Sequence, residues 1–344
     1  MEIVCPRCRG SLNAEPDSLH CAPCSASYPI VAGIPDLRLS PDPLIEIAED
    51  REKALVLSRE AEGRSLAELV SFYFSITPEV PPDLARAFTA AKTVLGPARA
   101  ADRLDAWAHR VRLPGQRVLD LGCGAGAWLP ELTGRFRFVT GVDVALRWLV
   151  VARKALEQVG RSAQLICANA EHLPLGPQVA DAVVAANVIE HVAHPSVALD
   201  EIFRILDKDG VALLSSPNRL SVLPEPHVGI PALGWLPRHT ADELVRRIRG
   251  VPYGGIQLQT WPGLMDIVSA AGFRLVRVRP AAIGARERAT LGRAGQLGAA
   301  GYEFVRTRVP GGRHALKLLG PLLEVDAFKG PNRERIPVGR AAAS

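Results

Sequence analysis

From Arg117 onward the chain alternates short, almost wholly apolar runs with longer stretches whose apolar residues recur every three or four positions. The runs at 117–121, 137–142, 163–167, 180–186 and 210–216 are rich in Val, Leu, Ile and Ala and predict strands buried on both faces. The stretches between them predict helices, and that alternation predicts an α/β fold with a parallel sheet covered on both sides. A helix with a glycine stop, Pro262 to Gly272, leads to a sixth strand at Phe273–Val278, and Val325–Lys329 predicts a seventh. Ahead of the sheet the pattern is helical from Pro43 to Val111, with stripes through Ile45, Ala48, Leu55, Leu66, Leu69, Val70 and Phe72. Pro78, Pro81 and Pro82 divide it, and a second helical block runs from Asp83 to His109. Phe72-Tyr73-Phe74 predicts an aromatic core cluster rather than a pocket lining. Residues 220–261 break the alternation with Pro- and Gly-rich loops and a basic helix, Thr240 to Arg249, as expected of an insertion walling one side of a cleft. Residues 284–320 are rich in Arg, Gly and Leu and lead into an apolar helix, Ala315 to Leu323.

The first apolar run stops at an acid, Asp120, and three glycines follow at alternate positions, Gly122, Gly124 and Gly126. That order reads strand, tight turn, helix, with bare backbone offered to a ligand. The second run ends in Asp143, 19 residues after Gly124, where a βαβ unit sets a carboxylate against a ribose diol. Gly122, Gly124 and Ala127 also satisfy the G-x-G-x-x-G/A of a dinucleotide site. Asp120 opposes that reading, because a pyrophosphate there would be repelled, whereas a ligand carrying a sulfonium and an ammonium is welcomed. The stretch resembles motif I of the class I S-adenosylmethionine-dependent methyltransferases. A dinucleotide enzyme and a purely structural glycine turn are the alternatives.

The resemblance continues in order from about 115 to 219. Cys167-Ala-Asn169-Ala170-Glu171 follows the third strand, and Asp181 sits in a V-A-D-A-V-V run where the family's acid packs at the start of the fourth. Asn187-Val-Ile-Glu190-His191-Val192 is similar to the family's V-L-E-H-V, and Asp207 to Arg219 is similar to its L-K-P-G-G-x-L-x-x-S-T-P-N. The resemblance implies a seven-stranded Rossmann-like methyltransferase sheet and S-adenosylmethionine as cofactor. Asp120 and the glycine turn would seat its methionine part, Asp143 its ribose and Asn169 its adenine, with Cys123, Val144, Ala170, Glu171 and Asn187 completing the cofactor set. Ubiquinone O-methyltransferases carry a Glu three residues ahead of the E-H pair; Asn187 stands there in this chain, which weakens any metal role carried over from them. An O- or N-nucleophile must lose a proton, so His191 and His227 are the candidate catalytic bases, with Glu190 as orienter. An acceptor that is already anionic needs none.

Cysteine usage adds a second unit. Cys5-Pro-Arg-Cys8 and Cys21-Ala-Pro-Cys24 are matched knuckles separated by 12 residues, and four thiolates complete a tetrahedral structural Zn²⁺ shell. Disulfides and redox thiols are the alternatives; a reducing compartment disfavours the first, and two matched knuckles exceed what a redox pair needs. Tyr28 to Leu37, Y-P-I-V-A-G-I-P-D-L, resembles the end of a short zinc-ribbon family that includes the small activator subunit of several tRNA, rRNA and protein methyltransferases. The division expected is a zinc ribbon at 1–37, a helical linker or lid at 38–112, a methyltransferase domain at 113–330 with its insertion at 220–261, and a flexible tail at 331–344.

Composition excludes more than it assigns. The 344 residues are 48% hydrophobic, enough for one large domain or two smaller ones, and no charge-free run of 18 apolar residues predicts a spanning helix. The opening M-E-I-V-C-P-R-C lacks the layout of a secretory signal, so a cytoplasmic location is expected. With 41 Lys and Arg against 36 Asp and Glu, the net charge of +5 is too mild to argue for nucleic acid. The Arg286-Glu-Arg288…Arg293 stretch suits an anionic acceptor or lipid surface, or more commonly a solvated helix face. The function expected is methyl transfer to an O, N or C atom of a small-molecule or lipid- or glycan-linked acceptor. An RNA methyltransferase is the alternative that the ribbon suggests. It lacks a basic-aromatic face, and Asn218 follows Ser216-Pro217 after strand five, whereas the N-P-P-Y-type tetrad of base aminomethylases follows strand four. A non-catalytic partner that binds S-adenosylmethionine is a further alternative, and the intact acids and glycines oppose it.

Overall fold

The computed structural model describes residues 1–111 and 115–330. The expected domain start at Leu113 and the tail at 331–344 lie outside the described residues. Four short strands open the chain, β1 Asn13–Ala14, β2 Ser18–Cys21, β3 Ala26–Val31 and β4 Ile34–Pro35, in one antiparallel sheet. Helices follow: α1 Ile47–Glu60, α2 Leu66–Ser75, α3 Pro82–Ala90 and α4 Gly96–Arg110, with a single π turn, Ala91–Leu95, joining the last two. Ser65 and Glu68 close a reciprocal capping box on α2, and Pro82 opens α3 at the position where a missing N–H costs nothing.

The main sheet then runs β5 Arg117–Leu121, α5 Leu129–Thr133, β6 Phe138–Asp143, α6 Leu146–Glu157, β7 Gln164–Cys167, β8 Ala180–Ala186, α7 Pro195–Ile205 and β9 Leu206–Pro217. After the insertion, with α8 Arg238–Arg249, come α9 Trp261–Ala270 and β10 Leu275–Pro280. The helices α10 Ala285–Ala289, α11 Arg293–Arg308 and α12 Gly312–Leu319 lead to β11 Leu322–Phe328. Strand order is β10-β11-β9-β8-β5-β6-β7. The five strands from β5 to β9 are parallel, while β11 runs antiparallel to both β9 and β10. The alternation predicts a parallel sheet for the strands up to β9, as found; an apolar run carries no direction of its own, so the reversal of the last strand is a tertiary outcome. The chain turns from β5 toward β6 on one side and reaches β8 on the other, so the crevice beyond Leu121 lies where the strand order reverses.

The cysteine unit is built into this core. Tyr28 and Leu37 pack in one apolar cluster with Leu121 and Ile166. Leu37 N–H donates to Cys167 O at 2.8 Å, Val4 N–H to Pro174 O at 3.0 Å, and Arg9 pairs with Glu201 at 2.9 Å. The edge of β7 is thereby covered, which removes a row of open ladder groups. The aromatic triplet is core as expected: Tyr73 lies 4.5 Å, ring to ring, from Trp148. Arg286 is neither free nor merely solvated, since it pairs with Asp105 of α4 at 2.6 Å. Among the described residues no helix is long and apolar enough to cross a membrane.

A buried ion cluster locks the linker to α6. The Arg38 guanidinium, with 0% of its side chain exposed, clasps Asp36 at 2.7 Å and Asp50 at 2.6 Å and also donates to Val144 O at 3.0 Å. Asp50 caps α6 from outside, accepting from Leu146 N–H at 2.8 Å and from the Arg147 guanidinium at 2.7 Å. Arg147 in turn reaches Asp42 at 3.0 Å and the Tyr73 hydroxyl at 3.2 Å. Removing one member of such a cluster strands its partners without water. Asp50→Ala is expected to cost about 3–5 kcal/mol in urea unfolding; a loss below about 1 kcal/mol, the scale of an exposed pair, would show that the cluster is effectively solvated.

Candidate active site

The loop after β5 delivers the glycines in three different environments. All three adopt left-handed backbone, with φ of +66° at Gly122, +49° at Gly124 and +82° at Gly126. A Cβ on Gly122 would sit 2.4 Å from Val188, and one on Gly126 would sit 2.9 Å from the Ala152 backbone, so these two are packing glycines. At Gly124 a Cβ would meet nothing within 4 Å. Its bare face borders open space at the carboxyl end of the sheet, as a ligand cradle requires.

Two carboxylates face this cradle. Asp120 is 1% exposed, and its Oδ2 has no hydrogen-bond partner. Burial, reinforced by the charge of Asp143, pushes it well above the usual carboxylate range. Asp143 accepts from Gly124 N–H at 2.7 Å through one oxygen and from Ala145 N–H at 2.8 Å through the other, tying the glycine turn to the start of α6. Each oxygen keeps a lone pair for a diol. Cys123 is buried beneath the turn, and Val144 O is held by Arg38.

Other expected cofactor residues take on structural partners. Asn169 accepts from both Leu39 and Ser40 N–H, at 2.8 and 3.2 Å, and donates to Ser40 Oγ at 2.9 Å. Its carbonyl lone pairs are filled by the linker, so in this structure Asn169 anchors residues 39–40 and offers no free acceptor to an adenine amino group. Ala170 opens the short 3₁₀ turn behind it, and Glu171 accepts from Ala193 N–H at 3.1 Å, fixing the loop beyond His191. Asn187 ends β8 in left-handed conformation, φ +58°, and its Oδ1 accepts from Ser215 Oγ at 3.0 Å. A non-glycine residue held there marks the strained corner from which the next turn projects.

That turn carries Glu190 and His191, and the insertion brings His227 to meet them. His191 Nε2 and His227 Nε2 are 3.0 Å apart, and His227 Nδ1 lies 2.5 Å from Glu225 Oε1. Glu225 also accepts from His227 N–H at 2.8 Å and Val228 N–H at 3.0 Å, so it is rigidly placed. The carboxylate bonded to the His227 ring is thus Glu225, whereas the expected orienter Glu190 bonds neither histidine. Glu190 is fully buried, accepts from Ser216 Oγ at 3.2 Å, and leaves its Oε1 without a partner. Burial alone would lower the pKa of His227, but Glu225 overrides it and raises the imidazolium above its ordinary range. Desolvation in the cleft, followed by the nearby His227 and Lys92 charges, pushes His191 the other way.

Two cationic residues were missed by sequence reading. Lys92, in the π turn, stands 4.1 Å from the Trp148 ring centroid, and burial outweighs the pull of Asp143 to bring its ammonium down to about 8. Arg103 of α4 is 5% exposed, borders a crevice with Trp128, Ala186 and Ser215, and its Nε, which makes no hydrogen bond, faces Glu324 at 3.5 Å. The available signal was a charge placed in the apolar stripe of Ala100, Leu104 and Trp107.

A second cluster joins Cys5, Cys8, Cys21 and Cys24, whose sulfurs all lie within 4.8 Å of one another, with no disulfide among them. Cys5 and Cys24 are 3.5 Å apart and Cys8 and Cys21 3.4 Å, near the ~3.8 Å edge of a tetrahedron with ~2.3 Å metal–sulfur bonds. Arg9 and Ser25, each just after a knuckle, take left-handed backbone that folds the chain back over the sulfurs.

Burial pushes Glu190 up to about 7. A carboxyl whose folded value lies above its unfolded value of about 4.3 adds stability that is complete below the lower value and is lost as pH rises through the upper one. Glu190→Gln is expected to remove that decline, about 3 kcal/mol between pH 4 and 8, from the difference between the two urea-unfolding curves. Parallel curves would show that Glu190 is not desolvated.

Residues 119–214 match the family described as a methyltransferase domain. The ubiquinone biosynthesis O-methyltransferase of Idiomarina loihiensis is 33% identical over 139 residues, covering 38% of this chain and 56% of that protein. The protein of the same name from Xylella fastidiosa is 35% identical over 118 residues, covering 34% and 48%. The chain spans about half the length of the curated relatives it matches. A solved S-adenosylmethionine-dependent methyltransferase from Aquifex aeolicus is 15% identical with a TM-score of 0.43, covering 70% of this chain and 92% of that one. The acid–glycine turn, the second acid and the E-H turn all fall inside the residues that match the methyltransferase domain.

Proposed function

We propose that the chain is an S-adenosylmethionine-dependent methyltransferase acting on an oxygen of a small-molecule acceptor. The observation that carries this reading is the buried, half-unpartnered Asp120 carboxylate beside the open face of Gly124. A buried acid without a partner is costly, and a cationic amino acid group in the cradle would satisfy it. Asp143 keeps lone pairs for a ribose. The relatives' name points to an oxygen acceptor.

When bound, S-adenosylmethionine supplies an activated methyl carbon. What this chain adds is alignment and proton removal. Glu225 keeps the His227 hydrogen on Nδ1, so Nε2 is the accepting nitrogen, and His191 occupies it until an acceptor hydroxyl takes that place. The hydroxyl proton passes to His227 Nε2, and Glu225 stabilises the imidazolium that results, as a carboxylate behind a histidine does in hydrolases. A Glu190 carboxylate oxygen and the two imidazole nitrogens lie within 4.8 Å of one another, which favours one second reading, a divalent cation binding the acceptor oxygen there. In the ribbon, the four thiolates would hold Zn²⁺ in a closed shell that supports folding without catalysis.

Calorimetric titration with S-adenosylmethionine should show binding that Asp120→Ala weakens roughly tenfold or more; unchanged affinity would remove the central observation. His227→Ala is expected to lower kcat by about 10²–10⁴ while leaving cofactor binding intact. Because the base must be neutral, kcat/KM should rise with pH through the raised His227 value. Glu225→Gln should move that limb to lower pH; a limb that stays put assigns the proton elsewhere. Retained activity in EDTA would exclude the divalent-cation reading. Metal analysis of the purified chain should find one Zn²⁺ per molecule, lost in Cys21→Ser together with several degrees of thermal stability.

A further inference from the structure

The insertion between β9 and α9 has its own small core of Val228, Leu233, Ala241, Val245 and Tyr253. Between this cap and the end of β9 lies a cavity of about 240 Å³. Its walls include Leu236 and Ile256, while Arg219 and Arg238 bring two guanidinium groups to it. Each arginine donates to a backbone carbonyl, Arg219 Nε to Gly234 O at 3.3 Å and Arg238 Nη2 to Gly254 O at 2.8 Å. Among the described residues no carboxylate lies within ion-pair distance of either. Tyr253, 6% exposed, also lines the cavity, and its hydroxyl has no hydrogen-bond partner. A buried hydroxyl of this kind calls for an acceptor atom.

The cavity adjoins the chemistry. Gln257, on its wall, donates its backbone N–H to Glu190 O at 2.7 Å and its side chain to Val192 O at 3.1 Å, bracketing His191. His227 belongs to the same cap, one residue before the core residue Val228. Neither histidine lines the cavity itself; Gln257 is the wall that separates an acceptor held at Arg219 and Arg238 from the Glu190–Val192 turn.

We infer that this cavity is the acceptor site and that it selects acceptors bearing an oxyanion, a carboxylate or a phosphate, on a small apolar body. This rests on the methyltransferase reading above and adds the class of substrate. Two guanidinium groups over an apolar floor give charge-assisted, often bidentate bonds to an oxyanion. The Tyr253 hydroxyl supplies a further donor that a neutral, apolar acceptor would leave unsatisfied. Discrimination against an uncharged isostere follows from both.

The test uses the full chain loaded with S-adenosylhomocysteine and calorimetric titration with three probes of one ring size. These are 4-hydroxybenzoate, 4-hydroxyphenyl phosphate and the neutral 4-hydroxybenzyl alcohol. At least one oxyanion probe should bind tenfold or more tightly than the alcohol, and the better of the two identifies the anion. Arg219→Leu and Arg238→Leu should each erase most of that preference, and Tyr253→Phe should weaken the oxyanion probe severalfold, all with S-adenosylhomocysteine affinity unchanged. Equal binding of the three probes, no binding by any, or a preference that survives in the double arginine variant overturns the proposal. S-adenosylhomocysteine binding in the same cell separates the two readings. If it binds but no preference is seen, only the cavity assignment falls; if it fails to bind, the methyltransferase reading falls and takes this inference with it.

Discussion

The structure depends on a carboxylate kept where carboxylates are least stable. Asp120 ends a strand buried on both faces, lacks a partner for one oxygen, and lies in the field of Asp143. Desolvation and like charge both favour its neutral form, so the site is poised to ionise when a cation arrives. The surrounding packing prevents relief by movement. Gly122 lies against Val188 and Gly126 against Ala152, so the turn has one shape, and Asp143 pins its middle through Gly124 N–H.

The N-terminal segments extend that rigidity. Arg38 and Asp50 join the linker to Val144 and to the start of α6, and Ser40 and Leu39 take up the whole side-chain amide of Asn169. The segment just after the cysteine unit is therefore the outer support of the loops that follow β6 and β7. A metal that organises the four cysteines would act on the cleft through this connection, by fixing the position of residues 36–42 rather than by touching the reactants. The π turn at Ala91–Leu95 faces the cleft from the other side and delivers Lys92, consistent with the tendency of such turns to occur at functional positions.

The histidine pair shows how an insertion supplies chemistry that the sheet lacks. β8 leads to a strained corner at Asn187 and then to Glu190 and His191, but the carboxylate bonded to a histidine ring is Glu225, two residues before His227 in the insertion. Opposite environments drive the two rings apart in acidity, one beside a carboxylate and one beside cations. Groups pushed apart in this way can divide the tasks of giving and taking a proton.

The sequence alone fixed what depends on neighbours along the chain. Apolar period, the acid–glycine spacing, the E-H turn and the matched C-x-x-C knuckles identified the sheet, the glycine turn, the loop after β8 and the cysteine cluster, because each is a local demand on backbone shape or ligand count. Strand direction at β11, the use of Asn169 as a linker anchor, the exchange of Glu190 for Glu225, and the arrival of Arg103 and Lys92 were decided by the tertiary structure. In each case the partners are far apart in sequence, as Asn169 and Ser40 or Arg103 and Glu324 are. Burial and hydrogen-bond capacity, which settle those roles, are properties of the folded surroundings and leave no periodic trace in the chain.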